Sequence, residues 1–392
     1  IALQTVECAA PADVDTVLIG RDDDFADSLS SGYLQQDAPL LLVPGGGPIP
    51  PDVIATLERL SPSQIIIMGG DSAISPAVEQ ALIDLGIAVV RREGGTRIET
   101  AIDVASTDAS DATTAIIARA FPGVDPTQGF ADAIAAGGMA ADLGYPVLLT
   151  DTAQLSLNTA TYLRDSTITD VFIMGGTAAV SALTESQIAE IIPGIVTRVA
   201  GDSRFGTSVE IAKERGSQSA ADVAQLIMVE GQGGFAWAGG LTAAYQAAQD
   251  DAPIVLLNGG EVPPETAAYL TPNAGFAVDT DDVIDGALTC AGISDGCLEA
   301  RRLLGLDGTT VTFDPPTLTP AVLDQQIEVS FADQPPASAE VVYDGSCLIA
   351  PTSDPEAVII RGDAGGPPLP CLVTVTITYD SGVVQTSVAA YE

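Results

Sequence analysis

The sequence predicts an α/β fold of tandem parallel-sheet modules, followed by a small all-β sandwich domain. Three observations support this prediction. Short, continuously apolar segments alternate with helix-like segments, which is typical of parallel strands covered by helices on both faces. Several motifs return at a step of about 105 residues, as expected for internal repeats. Residues 308–392 instead consist of strand-like runs separated by proline and glycine.

The first module shows the alternation of strands and helices clearly. Apolar runs predict strands at 17–20, 40–43, 64–68 and 88–91. The segments between them predict helices at 25–36 and 51–60, a third helix that opens with Ser75 and Pro76, and a fourth at 97–106. Serine before proline is a typical helix start, because serine caps the first turn and proline needs no N–H partner there.

Recurring motifs divide the chain into repeats. They are Phe25-Ala26-Asp27 with Phe130-Ala131-Asp132 and, more weakly, Phe235-Ala236-Trp237; Ala38 to Leu42 with Tyr145 to Leu149 and Ala252 to Leu256; Ile67 to Gly70 with Ile173 to Gly176; and Gly94 to Thr100 with Gly201 to Thr207. The last two motifs have no clear third copy. We therefore predict an extension (1–14), repeat 1 (15–106), repeat 2 (107–213), a degenerate repeat 3 (214–306) and a β-domain (308–392).

The β-domain is expected to be an immunoglobulin-like sandwich. Residues 372–378 alternate between apolar residues and threonine, as an antiparallel strand with one buried face should. The expected strands are 310–313, 326–331, 339–343, 357–361, 371–379 and 383–389. In an exported chain the cysteines favour disulfides, Cys290 with Cys297 and Cys347 with Cys371, and Cys8 would be free or paired with another subunit.

Composition excludes several functional classes. The 392 residues include 14 basic and 53 acidic residues and no histidine, for a net charge of −39. The absence of histidine removes the Ser-His-Asp, Cys-His and His-ligated metal sites, and the charge argues against a nucleic-acid binder. No apolar run reaches the roughly 18 residues of a membrane-spanning helix. The chain begins at Ile1, as expected after removal of a leader or after trimming of the sequence.

The repeated motifs together resemble those of a known family. The Met-Gly-Gly turn after a buried strand, the Gly-x-x-Arg-x-x-Thr turn about 25 residues later and the Phe-Ala-Asp helix start are similar to the bacterial and archaeal cell-wall-binding repeat type 2. The resemblance covers roughly residues 15–306. It implies three small α/β modules around a pseudo-threefold axis, which anchor exported proteins non-covalently on anionic envelope polysaccharide. The third unit departs from this pattern, because it lacks the Gly-Gly and Arg-Thr turns.

Twelve residues of the repeated motifs are candidate ligand-binding residues. They are Asp27, Gly69, Gly70, Asp71, Arg97 and Thr100 in repeat 1, and Asp132, Gly175, Gly176, Thr177, Arg204 and Thr207 in repeat 2. The glycine turns could present N–H groups to a ligand, or could be tight turns that need glycine. The arginines could bind a phosphate or carboxylate, or form structural pairs at a module junction. Trp237 could stack on a sugar or pack in the core.

No cofactor is expected. The acidic clusters Asp22 to Asp24 with Asp27, and Asp279 to Asp282 with Asp285, could bind calcium, but neither matches an EF-hand loop, and a solvated acidic face is the alternative. No GxGxxG fingerprint is present, which argues against a dinucleotide.

These observations predict a non-enzymatic, extracellular cell-surface protein that attaches to envelope polysaccharide, without nucleic acid or a membrane span. The alternative is a structural subunit of a surface layer or filament, which would assemble through the N-terminal extension and the β-domain. A carboxylate-only hydrolase is a third class, but no pair of acids in the sequence is singled out for it.

Overall fold

The computed structural model describes residues 14–223, 226–258 and 261–270, together with the backbone of individual strands farther along the chain. These residues fall into two compact units. The first contains residues 14–270 and a strand at 288–291, and the second contains the strands from residue 310 onward. None of the helices in the described ranges is long and apolar enough to cross a membrane.

Module 1 is a four-stranded parallel sheet with flanking helices. Its strands are β1 (Thr16–Arg21), β2 (Leu40–Val43), β3 (Gln64–Met68) and β4 (Ala88–Arg92), and its helices are α1 (Pro51–Leu60), α2 (Pro76–Asp84) and α3 (Arg97–Asp108). The strand order is β2-β1-β3-β4, with all pairs parallel. The side chains of Ser75 and Thr96 cap α2 and α3 by accepting N–H bonds from Val78 and Glu99.

Module 2 repeats this topology, and module 3 repeats most of it. Module 2 contains β5 (Thr114–Arg119), α4 (Ala131–Leu143), β6 (Val147–Thr150), α5 (Leu157–Asp165), β7 (Asp170–Met174), α6 (Ala182–Ala189), β8 (Val196–Val199) and α7 (Arg204–Glu214), with strand order β6-β5-β7-β8. Module 3 contains β9 (Leu226–Glu230), α8 (Ala236–Thr242), α9 (Ala244–Gln249), β10 (Ile254–Leu257), α10 (Pro264–Leu270) and β11 (Leu288–Ala291), with order β10-β9-β11. The predicted fold class of tandem parallel-sheet modules is confirmed.

The predicted helix at 25–36 is wrong. The structure forms two short 3₁₀ turns there, Ser28–Ser30 and Tyr33–Gln36. The hydroxyls of Ser30 and Ser31 donate to backbone carbonyls three residues earlier, at 3.0 and 2.7 Å, and such bonds compete with a regular α-helix. The tighter path also places Gly32 against α4, where an added Cβ would lie 2.8 Å from the Cβ of Ala140.

The centre of the first unit is built from α4 and segments of the other two modules. Helix α4 is buried along most of its length and consists largely of alanine and glycine. A Cβ added at Gly138 would lie 3.1 Å from the Cβ of Ala247 in module 3, and one added at Gly240 would lie 2.6 Å from the Cβ of Ile134. Small residues are therefore required for the backbones to approach this closely.

Two glutamines of module 1 complete the contacts among the three modules. The buried Gln35 donates to the carbonyl of Leu241 at 2.8 Å and accepts from the N–H of Tyr245 at 3.3 Å, both in module 3. Gln36 donates to the carbonyl of Ala141 in module 2 at 3.3 Å. Each module thus contacts both others, as expected for a closed three-module arrangement.

Alternate residues of each strand face different cores. One core is shared by all three modules and includes Leu18, Ile116 and Ile227 from the three first strands. The neighbouring residues of module 1, such as Val17 and Ile19, face a second core under α1 and α2, and module 2 has a corresponding core. Burial of both faces explains the continuously apolar strand sequences.

The second unit contains antiparallel strands. They are β12 (Thr310–Asp314), β13 (Gln325–Ala332), β14 (Ser338–Asp344), β15 (Leu348–Ala350), β16 (Ala357–Arg361), β17 (Cys371–Thr378) and β18 (Val384–Tyr391). They pair as β12-β13-β16-β15 and β14-β17-β18. The immunoglobulin-like sandwich stays a prediction. Cys8, Cys297, Cys347, most of the N-terminal extension and the acidic cluster at 279–285 lie outside the described residues, so the predictions made for them stay untested.

Candidate ligand-binding crevices

The repeated motifs meet at the carboxyl ends of the parallel strands. In module 1, β1 pairs with β2 on one side and with β3 on the other. The loop after β1 leads towards β2 and the loop after β3 leads towards β4, so the two loops run in opposite directions. Such a switch point is where open α/β sheets form ligand crevices. Module 2 has the same geometry between β5 and β7. We name the place lined by Asp27, Gly69 and Thr100 crevice 1, and the place lined by Arg119, Asp132 and Gly175 crevice 2.

Crevice 1 brings three separate motifs into contact. The Thr100 hydroxyl, at the start of α3, donates a bond of 2.7 Å to Oδ1 of Asp27. Gly69 has φ +97°, and a Cβ added there would lie 2.5 Å from Oδ2 of the same carboxylate. Glycine is therefore required at Gly69 both for the backbone conformation and for the approach of the Asp27 carboxylate.

Crevice 2 places a carboxylate in a more buried position. Asp132 is only 8% exposed, and the backbone of Gly175, with φ +90°, lies directly against its Oδ2. Within the described ranges no hydrogen bond reaches this carboxylate. Thr207 is the counterpart of Thr100 in module 2, but its hydroxyl accepts the N–H of Gly201 at 3.2 Å instead. Burial raises the pKa of the Asp132 carboxyl above its ordinary value, although the charges of Arg119 and Arg204 lower it.

The two repeated arginines cross module junctions beside the crevices. Arg97, the first residue of α3, donates to the carbonyl of Ala120 in module 2 at 3.1 Å. Arg204, the first residue of α7, donates to the carbonyl of Gly231 in module 3 at 2.8 Å and lies 3.8 Å from the Asp125 carboxylate. Burial lowers the pKa of both guanidinium groups. Their bonds at the junctions are mainly to backbone carbonyls, and Arg204 also pairs with the Asp125 carboxylate.

A second repeated arginine holds each glycine turn, and the sequence reasoning missed it. Arg91 donates to the carbonyl of Gly69 at 2.9 Å and pairs with Glu79 at 2.8 Å. In module 2, the corresponding bonds run from Arg198 to the Gly175 carbonyl at 2.7 Å and to Glu185 at 2.9 Å. The available signal was an arginine in the fourth strand and a glutamate in the preceding helix, which recur at steps of 107 and 106 residues.

The last residue of the first strand was also missed. Arg21 and Arg119 end the similar segments Thr-Val-Leu-Ile-Gly-Arg and Thr-Ala-Ile-Ile-Ala-Arg. Arg21 pairs with the two carboxylate oxygens of Asp23 at 2.6 and 2.9 Å. Arg119 is instead 7% exposed and donates through Nε to the carbonyl of Phe121 at 3.0 Å. Arg119 thus supplies a buried positive charge near Asp132 in crevice 2.

Four predicted residues lie on the outer side of the glycine turns. The Asp71 side chain is 73% exposed and lies 3.7 Å from Arg91. Gly70 lies near the carboxylate of Glu93, Gly176 accepts N–H bonds through its carbonyl, and Thr177 is exposed. The structure therefore groups Asp27, Gly69 and Thr100 in crevice 1 and Asp132 and Gly175 in crevice 2, with Arg97 and Arg204 beside them. Thr207 bonds to Gly201 instead. Gly70, Asp71, Gly176 and Thr177 lie apart from the two aspartates.

Module 3 places an indole at the position of the repeated aspartate. Trp237 is 2% exposed, and its ring lies 6.1 Å from that of Phe25. Of its two predicted roles, the structure shows packing in the core. The repeated carboxylate is consequently present in crevices 1 and 2 but replaced in module 3.

The described residues do not form an obvious metal site. Among the residues that the structure describes, no group of three or more histidine, cysteine, aspartate or glutamate side chains could hold a metal ion. In the cluster at 22–24, Asp23 pairs with Arg21, and Asp24 accepts the N–H of Ala26 at 3.1 Å. Asp23 and Asp24 thus already have partners within the protein.

Comparison with known proteins supports the repeat architecture. Residues 2–79, 91–185 and 198–288 match the family described as cell wall binding domain 2 (CWB2). Among curated proteins of Bacillus subtilis (strain 168), the chain is 27% identical over 247 residues to the N-acetylmuramoyl-L-alanine amidase LytC, with 62% of the chain and 45% of the relative covered. It is 28% identical over 272 residues to the amidase enhancer, with 67% and 34% covered. The chain thus spans less than half the length of these two relatives.

Solved structures share the fold. Cwp8 from Clostridium difficile superposes with a TM-score of 0.64 at 24% identity. The superposition covers 78% of this chain and 50% of the Cwp8 chain. Cwp6 from the same organism gives a TM-score of 0.61 at 23% identity, and the superposition covers 69% of this chain and 42% of the Cwp6 chain. Because the three matched segments together include well over half of the sequence, and each falls largely on one of the modules described above, the chain belongs to the cell wall binding domain 2 family.

Proposed function

We propose that this chain is a non-catalytic cell-surface protein that attaches to envelope polysaccharide through crevices 1 and 2. The observation that carries the proposal is Asp132, a largely buried carboxylate that has no hydrogen bond among the described residues and keeps a small solvent-exposed area, close to the charges of Arg119 and Arg204. Burying such a group lowers stability unless a partner compensates for its lost hydration. Its presence in a crevice at the switch point of the sheet favours a role in binding over a role in folding.

The crevice offers chemistry that suits an anionic sugar polymer. A carboxylate accepts hydrogen bonds from sugar hydroxyls, and guanidinium groups bind phosphate or carboxylate. Asp132 with Arg119 and Arg204 supplies both in crevice 2, and Asp27 with Arg97 supplies both near crevice 1. Two similar sites on one chain can bind a repetitive polymer with higher avidity than either site alone.

The net charge of −39 shapes how such a polymer can bind. At long range the protein repels an anionic chain, so binding must rely on local groups and is favoured by salt that screens the repulsion. The buried guanidinium groups are themselves screened much less than surface charges. We therefore expect attachment to persist at moderate ionic strength.

We do not infer amidase activity for this chain, because it spans only 45% of the amidase LytC and 34% of the amidase enhancer. Attachment to a wall polymer also places the chain outside the cell. Membership of the cell wall binding domain 2 family supports this location.

Cosedimentation tests the proposal. The full chain is incubated with purified walls of B. subtilis and of C. difficile, each intact or stripped of phosphodiester-linked polymers with cold hydrofluoric acid. We expect retention on at least one intact wall and loss of retention after stripping. If the chain stays in the supernatant with every intact wall from low to high salt, with and without calcium, the proposed attachment is wrong.

A further inference from the structure

The loop between β5 and α4 is longer than its counterpart in module 1 and exposes apolar side chains. Arg21 and Arg119 are 98 residues apart and Phe25 and Phe130 are 105 apart, so the loop has gained 105 − 98 = 7 residues. Phe121 is 40% exposed and Val124 is fully exposed. They are two of the eight large apolar residues that are exposed in the described ranges. The added segment thus concentrates apolar surface beside crevice 2.

Bonds from crevice 2 hold this loop in place. Arg119 donates to the Phe121 carbonyl at 3.0 Å, and Arg204 donates to the Thr127 carbonyl at 3.4 Å. Asp125 accepts from the N–H and the hydroxyl of Thr127 at 2.9 and 2.8 Å. Because both arginines flank Asp132, the loop has a defined position relative to the buried carboxylate.

The Phe121 ring is further fixed by the junction arginine. The guanidinium carbon of Arg97 lies 5.3 Å from the ring centres of both Phe121 and Phe25. This distance is typical of cation–π contacts. The contact orients the Phe121 ring, yet a large part of the residue stays open to solvent. A fixed, exposed aromatic ring is a surface on which a flat apolar group can stack at low entropic cost.

Building on the proposed function, we propose that Phe121 is a stacking platform for a pyranose ring of the wall polysaccharide bound in crevice 2. A pyranose presents an apolar C–H face and a hydroxyl edge, which match an aromatic ring next to buried polar groups. The stacked contact is uncharged, so it adds affinity that the net charge of −39 does not oppose. A protein partner would need a larger contiguous apolar area than Phe121 and Val124 provide.

Binding isotherms of the full chain on intact and stripped walls test this role. The variants are Phe121→Ala, Phe121→Trp, which keeps an aromatic face, and Phe121→Leu, which keeps an apolar side chain without a ring. Leu183→Ala, at an exposed position of α6, is the matched control. We expect Phe121→Ala and Phe121→Leu to weaken binding to intact walls about five- to tenfold, at low and high salt alike. Both variants should stay folded by circular dichroism, with a small fall in melting temperature because the contact with Arg97 is lost. Phe121→Trp and Leu183→Ala should bind like the wild type.

The outcomes separate this role from the proposed function. If the wild type binds the polymer and Phe121→Ala binds equally well, the stacking role is wrong and the attachment stands. If Phe121→Ala weakens retention on stripped walls as much as on intact walls, the ring contacts something other than the polymer, and the stacking role is again wrong. If the wild type binds no wall, both proposals fail.

Discussion

The hydroxyl of Thr100 donates a hydrogen bond of 2.7 Å to Asp27, whereas Thr207, at the equivalent position of module 2, instead accepts the N–H of Gly201 at 3.2 Å. The two crevices therefore share their backbone geometry and differ in how the aspartate is stabilised. Asp27 has a partner within the protein, and Asp132 has none among the described residues. This difference leads to separate expectations for the two modules.

Removing the Thr100 hydroxyl should destabilise the protein measurably. Thr100→Val keeps the shape of this fully buried side chain but takes away the bond to Asp27, so the free energy of unfolding should fall by about 1–3 kcal/mol. Urea unfolding measures the loss. Thr107→Val, on the exposed side of the same helix, is the control and should change stability by less than about 0.5 kcal/mol. Equal effects of the two substitutions would show that the Thr100–Asp27 bond contributes little.

Replacing Asp132 by asparagine should make the protein more stable at neutral pH. Burial raises the pKa of this carboxyl, so the folded chain holds its proton more tightly than the unfolded chain. The resulting stability is complete below the unfolded pKa of about 3.9 and is lost as the pH rises through the folded pKa. The difference in unfolding free energy between Asp132→Asn and the wild type should therefore grow above about pH 4 and then level off.

Urea titrations from pH 3 to pH 8 measure this difference. Asp165→Asn, at an exposed position, controls for the loss of one negative charge from an acidic protein. If the stability gain of Asp132→Asn is independent of pH, or equals that of Asp165→Asn, the buried carboxylate does not carry the proposed cost.

The glycine turns should tolerate alanine poorly for two separable reasons. Gly69 and Gly86 both have positive φ, +97° and +82°, but a Cβ at Gly86 meets no atom within 4 Å. Gly86→Ala should cost about 1 kcal/mol from backbone conformation alone. Gly69→Ala should cost more, because its Cβ would also collide with the Asp27 carboxylate. The combined variant Gly69→Ala with Asp27→Ala should regain part of the extra loss, and a cost for Gly69→Ala no larger than that for Gly86→Ala would contradict the close contact.

The packing of the three modules should depend on Gly240. A Cβ there would lie 2.6 Å from the Cβ of Ile134 in α4, so Gly240→Ala should destabilise the protein by about 1–3 kcal/mol through overpacking. Gly234→Ala, at a position with open space, should have a much smaller effect. Thermal unfolding of both variants checks this. Similar melting temperatures would mean that the centre is less tightly packed than the structure indicates.

The sequence was most informative where residues act locally. The continuous apolar runs located β2 and β3 with their observed bounds, and the proline pair and Ser75 located α1 and α2. The segment at 25–36 was less predictable, because its 3₁₀ turns depend on serine bonds to the backbone and on contact with α4, which lies more than 100 residues later.

The candidate site was predictable as a set of motifs but not as a geometry. Repetition identified Asp27, Gly69 and Thr100, and the structure places them in contact. Repetition did not reveal that Asp132 is buried, because burial depends on how modules pack against each other. Arg91 and Arg198 were missed since an arginine at the end of a strand has many possible partners, and only the folded turn shows which carbonyl it holds.

Wall binding by an Asp27→Asn, Asp132→Asn double variant tests the central claim most directly. Asparagine keeps the shape of both side chains but removes their charge and half of their acceptor capacity. In cosedimentation with polymer-bearing walls, the wild type should be retained. The folded double variant should lose at least tenfold in affinity while its unfolding free energy stays equal or rises. Retention of the double variant at wild-type affinity would show that the polymer does not bind at the two crevices.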